Sequence, residues 1–205
     1  MERRDLTTPA LLRYGDVMAT SRPDRIEGYA IISADGMLAD AAGVMPPSLK
    51  IEADQRFFHG SLDKADAVVH GRYSHEGGPN APKRVRLIVT RRISGVARHP
   101  ENPKAVLWNP AGTSFGEAWN MLGLGGGLLA VIGGTEIFGI FLDLGYDAFH
   151  LTRADHVRLP GGRPVFPQVP ACTPEEVLRS RGYKAGSTLI LDKDKDVRLV
   201  TWIPA

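Results

Sequence analysis

An apolar run, Leu128-Leu129-Ala130-Val131-Ile132, leads the chain into Gly133-Gly134 and then directly into a helical pattern ending near Leu144. Five apolar residues bounded by glycines read as a strand buried on both faces. Paired glycines at the following helix start leave its first N–H groups unobstructed, and those groups with the helix dipole favour a phosphate. A tight strand-to-helix turn without a ligand uses the same residues, so both readings stand at this point. Either way, a buried strand passing straight into a helix is the start of a parallel-sheet unit.

The rest of the chain follows the same alternation. Strand patterns fall at residues 27–33 (EGYAIIS), 67–69, 85–89, 104–108, 128–132 and 148–152. Helical patterns fall at 52–62, where Phe57, Phe58 and Leu62 recur on one face, at 114–122, and after Gly134. Two further strands, about 187–191 and 197–202, flank the polar turn Asp192-Lys193-Asp194-Lys195-Asp196. A hairpin requires antiparallel pairing, so that edge of the sheet is predicted to be mixed. The expected architecture is an α/β fold of three α-β-α layers, with a mostly parallel mixed sheet and an antiparallel C-terminal hairpin.

A second glycine cluster, Gly123-Leu124-Gly125-Gly126-Gly127, imitates a dinucleotide fingerprint through Ala130. A helix precedes it and a strand follows, which reverses the order that fingerprint needs. Residues 1–24, with Pro9 and Pro23 and no sustained period, read as an N-terminal extension ahead of one domain at 25–205. The extension leaves room for a homodimer.

Composition narrows the function classes. The 205 residues are 43% hydrophobic and 23% charged, enough for one soluble domain with a real core. Lys and Arg number 25 against 23 Asp and Glu, a balance that carries no nucleic-acid footprint. The lone Cys172, between Pro170 and Pro174, excludes an internal disulfide and fits a reducing compartment. No apolar run is long enough for a membrane span, and the first residues lack the core of a secretory signal. A cytoplasmic protein is expected. His70 and His75 lack partners at metal-ligand spacing, and Ser33 and Ser74 lack a nucleophile-elbow context, so neither a metal nor a serine nucleophile is expected. Lys83, Arg84, Arg86, Arg91 and Arg92 cluster, either as a solvated rim or as an anion site.

Several blocks together resemble the dihydrofolate reductase superfamily. Val131-Ile132-Gly133-Gly134-Thr135-Glu136-Ile137-Phe138 resembles the segment where that family's paired glycines meet the cofactor's pyrophosphate. Ala53-Asp54-Gln55-Arg56-Phe57-Phe58 resembles the helix with its catalytic carboxylate, and Val69-His70-Gly71-Arg72 its Gly-Arg element. Leu87-Ile88-Val89-Thr90-Arg91 resembles its strand into the adenosine site; Ala148-Phe149-His150-Leu151-Thr152 and Pro164-Val165-Phe166-Pro167 resemble later blocks. They occur in the family's order, across about residues 26–170.

The resemblance implies NADPH as cofactor and a small heterocyclic substrate. Asp54 would place or supply the proton that accompanies hydride transfer, hydrogen-bonded by Thr152, with Phe58 packing on the heterocycle and Ile31, Ser33 and Asp35 lining the substrate side. Gly71, Arg72, Thr90, Arg91, Arg92, Gly133, Gly134, Thr135, Glu136 and Ile137 would hold the cofactor, the arginines gripping its 2′-phosphate. Without the resemblance, Asp54 reads first as an exposed first-turn carboxylate, and Phe58 equally as ordinary core. Ser33-Ala34-Asp35-Gly36 and Ala65-Asp66-Ala67-Val68-Val69 are similar to the riboflavin-pathway pyrimidine reductases of the same fold. Pro47 stands where the folate reductases carry tryptophan, and the pyrimidine reductases' Asp-Asp-Pro segment is replaced by Ser74-His75-Glu76-Gly77-Gly78-Pro79. Reduction of a pterin or pyrimidine heterocycle, the riboflavin-pathway uracil reductase step, and a non-catalytic nucleotide-binding module therefore remain the readings.

Overall fold

The computed structural model describes residues 22–74 and 76–205. Most of the expected N-terminal extension therefore lies outside the described residues, as does His75.

A nine-stranded sheet forms the middle layer. Its parallel centre contains β1 (Arg25–Ser33), β3 (Ala67–Gly71), β4 (Val85–Val89), β6 (Ala105–Trp108), β7 (Leu128–Val131) and β8 (Ala148–Ala154). The short β5 (Val96–Arg98) closes one edge antiparallel to β6. At the other edge, β10 (Tyr183–Asp192) and β11 (Val197–Pro204) form a hairpin, and β11 pairs antiparallel with β8. The spatial order is β10-β11-β8-β1-β7-β3-β4-β6-β5. A separate ribbon joins β2 (Met37–Ala39) to β9 (Arg163–Pro164).

The helices are α1 (Glu52–Leu62), α2 (Phe115–Leu122), α3 (Thr135–Leu144) and α4 (Pro174–Ser180). Side chains alternate across each strand, so the sheet has two distinct faces. One carries Leu87, Val106, Trp108, Leu129, Val131 and Phe149 and packs with Phe115 and Trp119 of α2 and Phe138 and Phe141 of α3 in the main core. The other carries Tyr29, Val68 and Ala130 under Leu62, Phe57 and Phe58 of α1.

The structure extends the sequence reading at its edges. The first strand begins at Arg25, and β10 is ten residues long where about five were predicted. Polar Lys184, Gly186 and Ser187 hide the first half of β10, which is an exposed edge strand with no buried face to impose alternation. Helix α4 has a local signal: Thr173 caps the backbone of Glu176, whose side chain returns the bond. Among the described residues, no helix is long and apolar enough to cross a membrane.

Candidate active site

Asp54, Phe58 and Leu62 recur every fourth residue along α1 and so share one stripe. Leu62 and Phe58 pack on the sheet, and this stripe carries Asp54 to a position only 9% exposed. The register places Ile31 of β1 directly beside Thr152 of β8, near the ends of those strands. Thr152 is itself buried, and its hydroxyl hydrogen-bonds the Asp54 carboxylate. Burial raises the Asp54 pKa from 3.8 to about 6, against the smaller opposing effect of the Thr152 bond. Desolvation thus outweighs the helix dipole, which favours the ionised form at this first-turn position. The carboxyl group can carry a proton near neutral pH.

Ser33 and Asp35 do something more local. The Ser33 hydroxyl, fully buried, donates to Asp35 Oδ1 at 2.5 Å and accepts from the Met37 N–H at 3.0 Å. Asp35 also accepts the Leu159 N–H at 3.0 Å. Burial opposes ionisation of Asp35, but the bonds from Ser33 and Leu159 outweigh it and hold its carboxyl below the usual range. These two residues fasten the turn after β1 to the loop after β8. Phe58 lies partly buried, edge-on to Tyr29 at 6.4 Å between ring centroids. Met45, in the loop before α1, is 39% exposed.

On the cofactor side, β7 runs into Gly133 and Gly134, and Gly134 is the N-cap of α3. No side chain caps α3, whereas Ser114 and Thr173 form capping boxes on α2 and α4. The first N–H groups of α3 are thus left to the backbone turn and whatever approaches it. Gly133 has φ +125°, a conformation that favours glycine, and its carbonyl accepts the Gly71 N–H at 3.2 Å. That bond ties the end of β3 to the glycine turn. A Cβ on Gly134 would meet only the Ser74 hydroxyl, at 3.9 Å. Ile137 is buried behind Gly71, Thr135 donates to the Pro164 carbonyl, and Glu136 points to solvent. Of these three, only backbone atoms are available to an anion.

Arg72, Thr90 and Arg92 line a cavity of about 540 Å³ on the α1 face of the sheet. Its floor is Ile88 and Leu107, its roof Glu76, Ala81 and Pro82, and His99 and Asn102 face it from the loop after β5. Arg91 is exposed and does not line it. The Thr90 hydroxyl accepts the Arg92 N–H at 3.2 Å, and Arg72 rests on the Tyr73 ring. Asp54 and this cavity occupy separate stretches of the same face.

The basic cluster divides. Arg84 and Arg86 sit two apart on one face and converge on Glu76, whose side chain is 1% exposed. Arg86 donates to Glu76 at 2.5 and 2.8 Å, and Arg84 donates to Glu76 at 3.3 Å and to Asp63 at 2.5 Å. Sequence reasoning left Glu76 unassigned, because no local pattern marks which acid will meet a pair of arginines. It also missed a polar cluster under α1. There Tyr29 stacks on His150 at 4.7 Å, and Glu27 accepts from the Tyr29 hydroxyl and lies 3.3 Å from His150. The His150 hydrogen bond brings the Glu27 carboxyl down to about 2. Among the described residues, no group of three or more His, Cys, Asp or Glu is placed to hold a metal ion.

No protein-family model matches the chain, and no curated protein sequence matches it. Solved structures do. A protein from Shewanella sp. PV-4 assigned to riboflavin biosynthesis aligns over 88% of this chain and 99% of its own, at 16% identity and a TM-score of 0.60. Dihydrofolate reductase from Enterococcus faecalis, complexed with NADP(H) and RAB-propyl, aligns over 87% and 95%, at 16% identity and 0.58. A diaminohydroxyphosphoribosylaminopyrimidine deaminase/5-amino-6-(5-phosphoribosylamino)uracil reductase from Thermotoga maritima aligns over 90% of this chain and 57% of its own, at 17% identity and 0.57. The chain has the dihydrofolate reductase-like fold, in line with the resemblance read from its sequence blocks.

Proposed function

We propose that this chain is an NADPH-dependent reductase of a pterin or pyrimidine-type heterocycle. The observation that carries the reading is Asp54: a carboxyl group on an apolar helix stripe, bonded to Thr152, with its pKa raised to about 6. A nucleotide-binding module without catalysis has no use for a buried acid in that state, which costs stability and is kept where proton transfer needs it. NADPH would supply the hydride; the protein's part is to bind, orient and protonate. The residues fit such a cofactor. The uncapped start of α3 behind Gly134 suits a pyrophosphate, and Arg72, Thr90 and Arg92 suit a ribose 2′-phosphate, with Arg91 beside them on the same strand end. The fold neighbours, a reductase complexed with NADP(H) among them, support the same reading.

Asp54, held by Thr152 and facing a heterocycle laid against Ile31 and Phe58, would in its protonated form donate toward the ring nitrogen, and its raised pKa keeps a usable fraction of that form near neutral pH. The riboflavin-pathway uracil reductase step is the second reading, supported by the Ser33–Asp35 turn and by the pathway of two fold neighbours. Loss of dihydronicotinamide absorbance from NADPH, measured against 7,8-dihydrofolate, 7,8-dihydrobiopterin and the ribosylaminopyrimidine, tests the proposal. NADPH binding with no turnover of any of the three would return the chain to a binding module.

A further inference from the structure

Parallel register pairs His70 of β3 with Ile88 of β4 and Val68 with Arg86, so these four residues share the α1 face of the sheet. His70 and Arg86 are diagonal neighbours there, and both line the cavity of Arg72, Thr90 and Arg92. The two terminal nitrogens of Arg86 are fully used. One donates to Glu76 at 2.5 Å and to the Ala81 carbonyl at 2.6 Å; the other donates to Glu76 at 2.8 Å and meets His70 Nε2 at 3.1 Å. A guanidinium has only donors, so His70 Nε2 accepts and the ring proton sits on Nδ1. His70 Nδ1 lies 2.8 Å from the Gly71 carbonyl and donates to it, at a position only 3% exposed.

That carbonyl is a junction. It also accepts the Ser74 N–H at 3.0 Å, which closes a turn over residues 71–74, so both of its lone pairs are taken. The N–H of the same Gly71 donates to the Gly133 carbonyl at 3.2 Å. Arg72 is the first residue inside the turn, and Ser74 ends it beside Gly134. The register of β3 with β4 ends at the Gly71–Val89 pair, so ladder bonds no longer hold the chain beyond it. A side chain must do so, and His70 is placed for it.

We propose that His70 is a positioning residue for the nucleotide cofactor: held in its Nδ1–H tautomer by Arg86, it fixes the Gly71 carbonyl and so sets Arg72 and the Gly133–Gly134 turn to receive the 2′-phosphate and the pyrophosphate. This rests on NADPH binding at those residues, as in the reductase reading above.

Two amide side chains divide the two jobs of the imidazole. In His70→Asn the amide nitrogen falls where Nδ1 lay and still donates to Gly71, while the Arg86 contact is lost. His70→Gln places its amide where Nε2 lay, keeps the Arg86 contact and loses the one to Gly71. Gln fills the volume of the imidazole better than Asn, so packing alone ranks Gln first. The inference ranks Asn first: NADPH affinity is expected within about twofold of the parent in His70→Asn and about three- to tenfold weaker in His70→Gln, the worth of one neutral hydrogen bond. Amide hydrogen exchange at Ser74 should quicken in His70→Gln alone. Long-range proton–nitrogen correlation spectra of the parent protein read the tautomer without cofactor, and so without relying on either variant. An Nδ1–H tautomer with Asn ranked above Gln supports the inference. An Nε2–H tautomer, or NADPH affinity that follows side-chain volume or ignores both substitutions, overturns it and leaves the reductase reading standing. No NADPH binding by the parent protein overturns both.

Discussion

The Thr152 hydroxyl and the Asp54 carboxyl, from opposite halves of the chain, meet in a buried hydrogen bond that works against desolvation of the acid. Thr152→Val keeps the shape and removes that bond. The Asp54 pKa should then rise further above 6, and the pH at which turnover declines should move up with it. A rate–pH profile of the variant reads this directly. A profile identical to the parent's would mean that another group governs the reaction.

Asp54→Asn is expected to slow hydride transfer by about 10²–10⁴-fold, the usual scale for positioned acid–base help, while NADPH affinity is unchanged. The loss should shrink at low pH, where solvent supplies the proton. Full pre-steady-state activity in the variant would remove Asp54 from the mechanism. The same substitution should stabilise the fold. Because the folded pKa lies above the unfolded one, Asp54 destabilises the native state in full once pH exceeds about 6, and this penalty fades as pH falls from about 6 to 3.8 and is absent below it. The interval between those values corresponds to about 3 kcal/mol as an upper scale. Denaturant melts of parent and variant at about pH 3 and about pH 8, on either side of that window, should agree at the lower pH and diverge at the higher.

Gly134→Ala separates anion binding from packing. The position has φ −50° and space for a methyl group beside Ser74, so the thermal melt should barely change. A pyrophosphate approaching the start of α3 would meet that methyl, and NADPH affinity should fall about tenfold or more. Gly133→Ala provides the contrast: at φ +125° it should lose stability by about 1 kcal/mol or more, through backbone strain. An unchanged NADPH affinity in Gly134→Ala would favour the turn without a ligand.

The parallel centre of the sheet was legible because strands buried on both faces leave continuous apolar runs, as Leu128 to Ile132 do. Asp54 was legible only through the blocks around it; nothing in its own neighbourhood separates a buried catalytic acid from an exposed first-turn one. What fixes its state is Thr152 and the packing of Phe58 and Leu62, all tertiary facts. The Glu76 pairing was beyond reach for the same reason, since residues 76–84 carry no period and their path is set by the strand they lead into. β10 failed differently: as an exposed edge, it has too little burial to print a pattern.

Cofactor choice tests the arginines. Arg72 and Arg92 line the cavity and Arg91 does not, so Arg72→Ala and Arg92→Ala should each weaken NADPH by about 1.5–3 kcal/mol, the worth of a charge-assisted contact. Arg91→Ala should cost less, and none of the three should affect NADH. Fluorescence titration of both cofactors would show it. Equal affinity of the parent protein for NADPH and NADH would remove the 2′-phosphate from the picture.

Arg86 offers the converse test, a basic residue whose partner lies inside the protein. Its side chain is 12% exposed and grips Glu76, whose side chain is 1% exposed, and the Ala81 carbonyl accepts a further bond. Burial works against the charge on Glu76, but the bonds from Arg86 prevail and hold its carboxyl below the usual range. Arg86→Met fills similar volume yet removes the two shortest ion-paired contacts of that carboxylate, leaving the longer one from Arg84 and a backbone bond. Breaking one side of a buried pair costs about 3–5 kcal/mol, far more than removing a surface charge. The double variant Arg86→Met with Glu76→Gln removes the charge left behind and should recover much of the loss. Urea denaturation of the two variants would measure both steps. A loss under about 1 kcal/mol in Arg86→Met alone would place this pair among the solvated contacts.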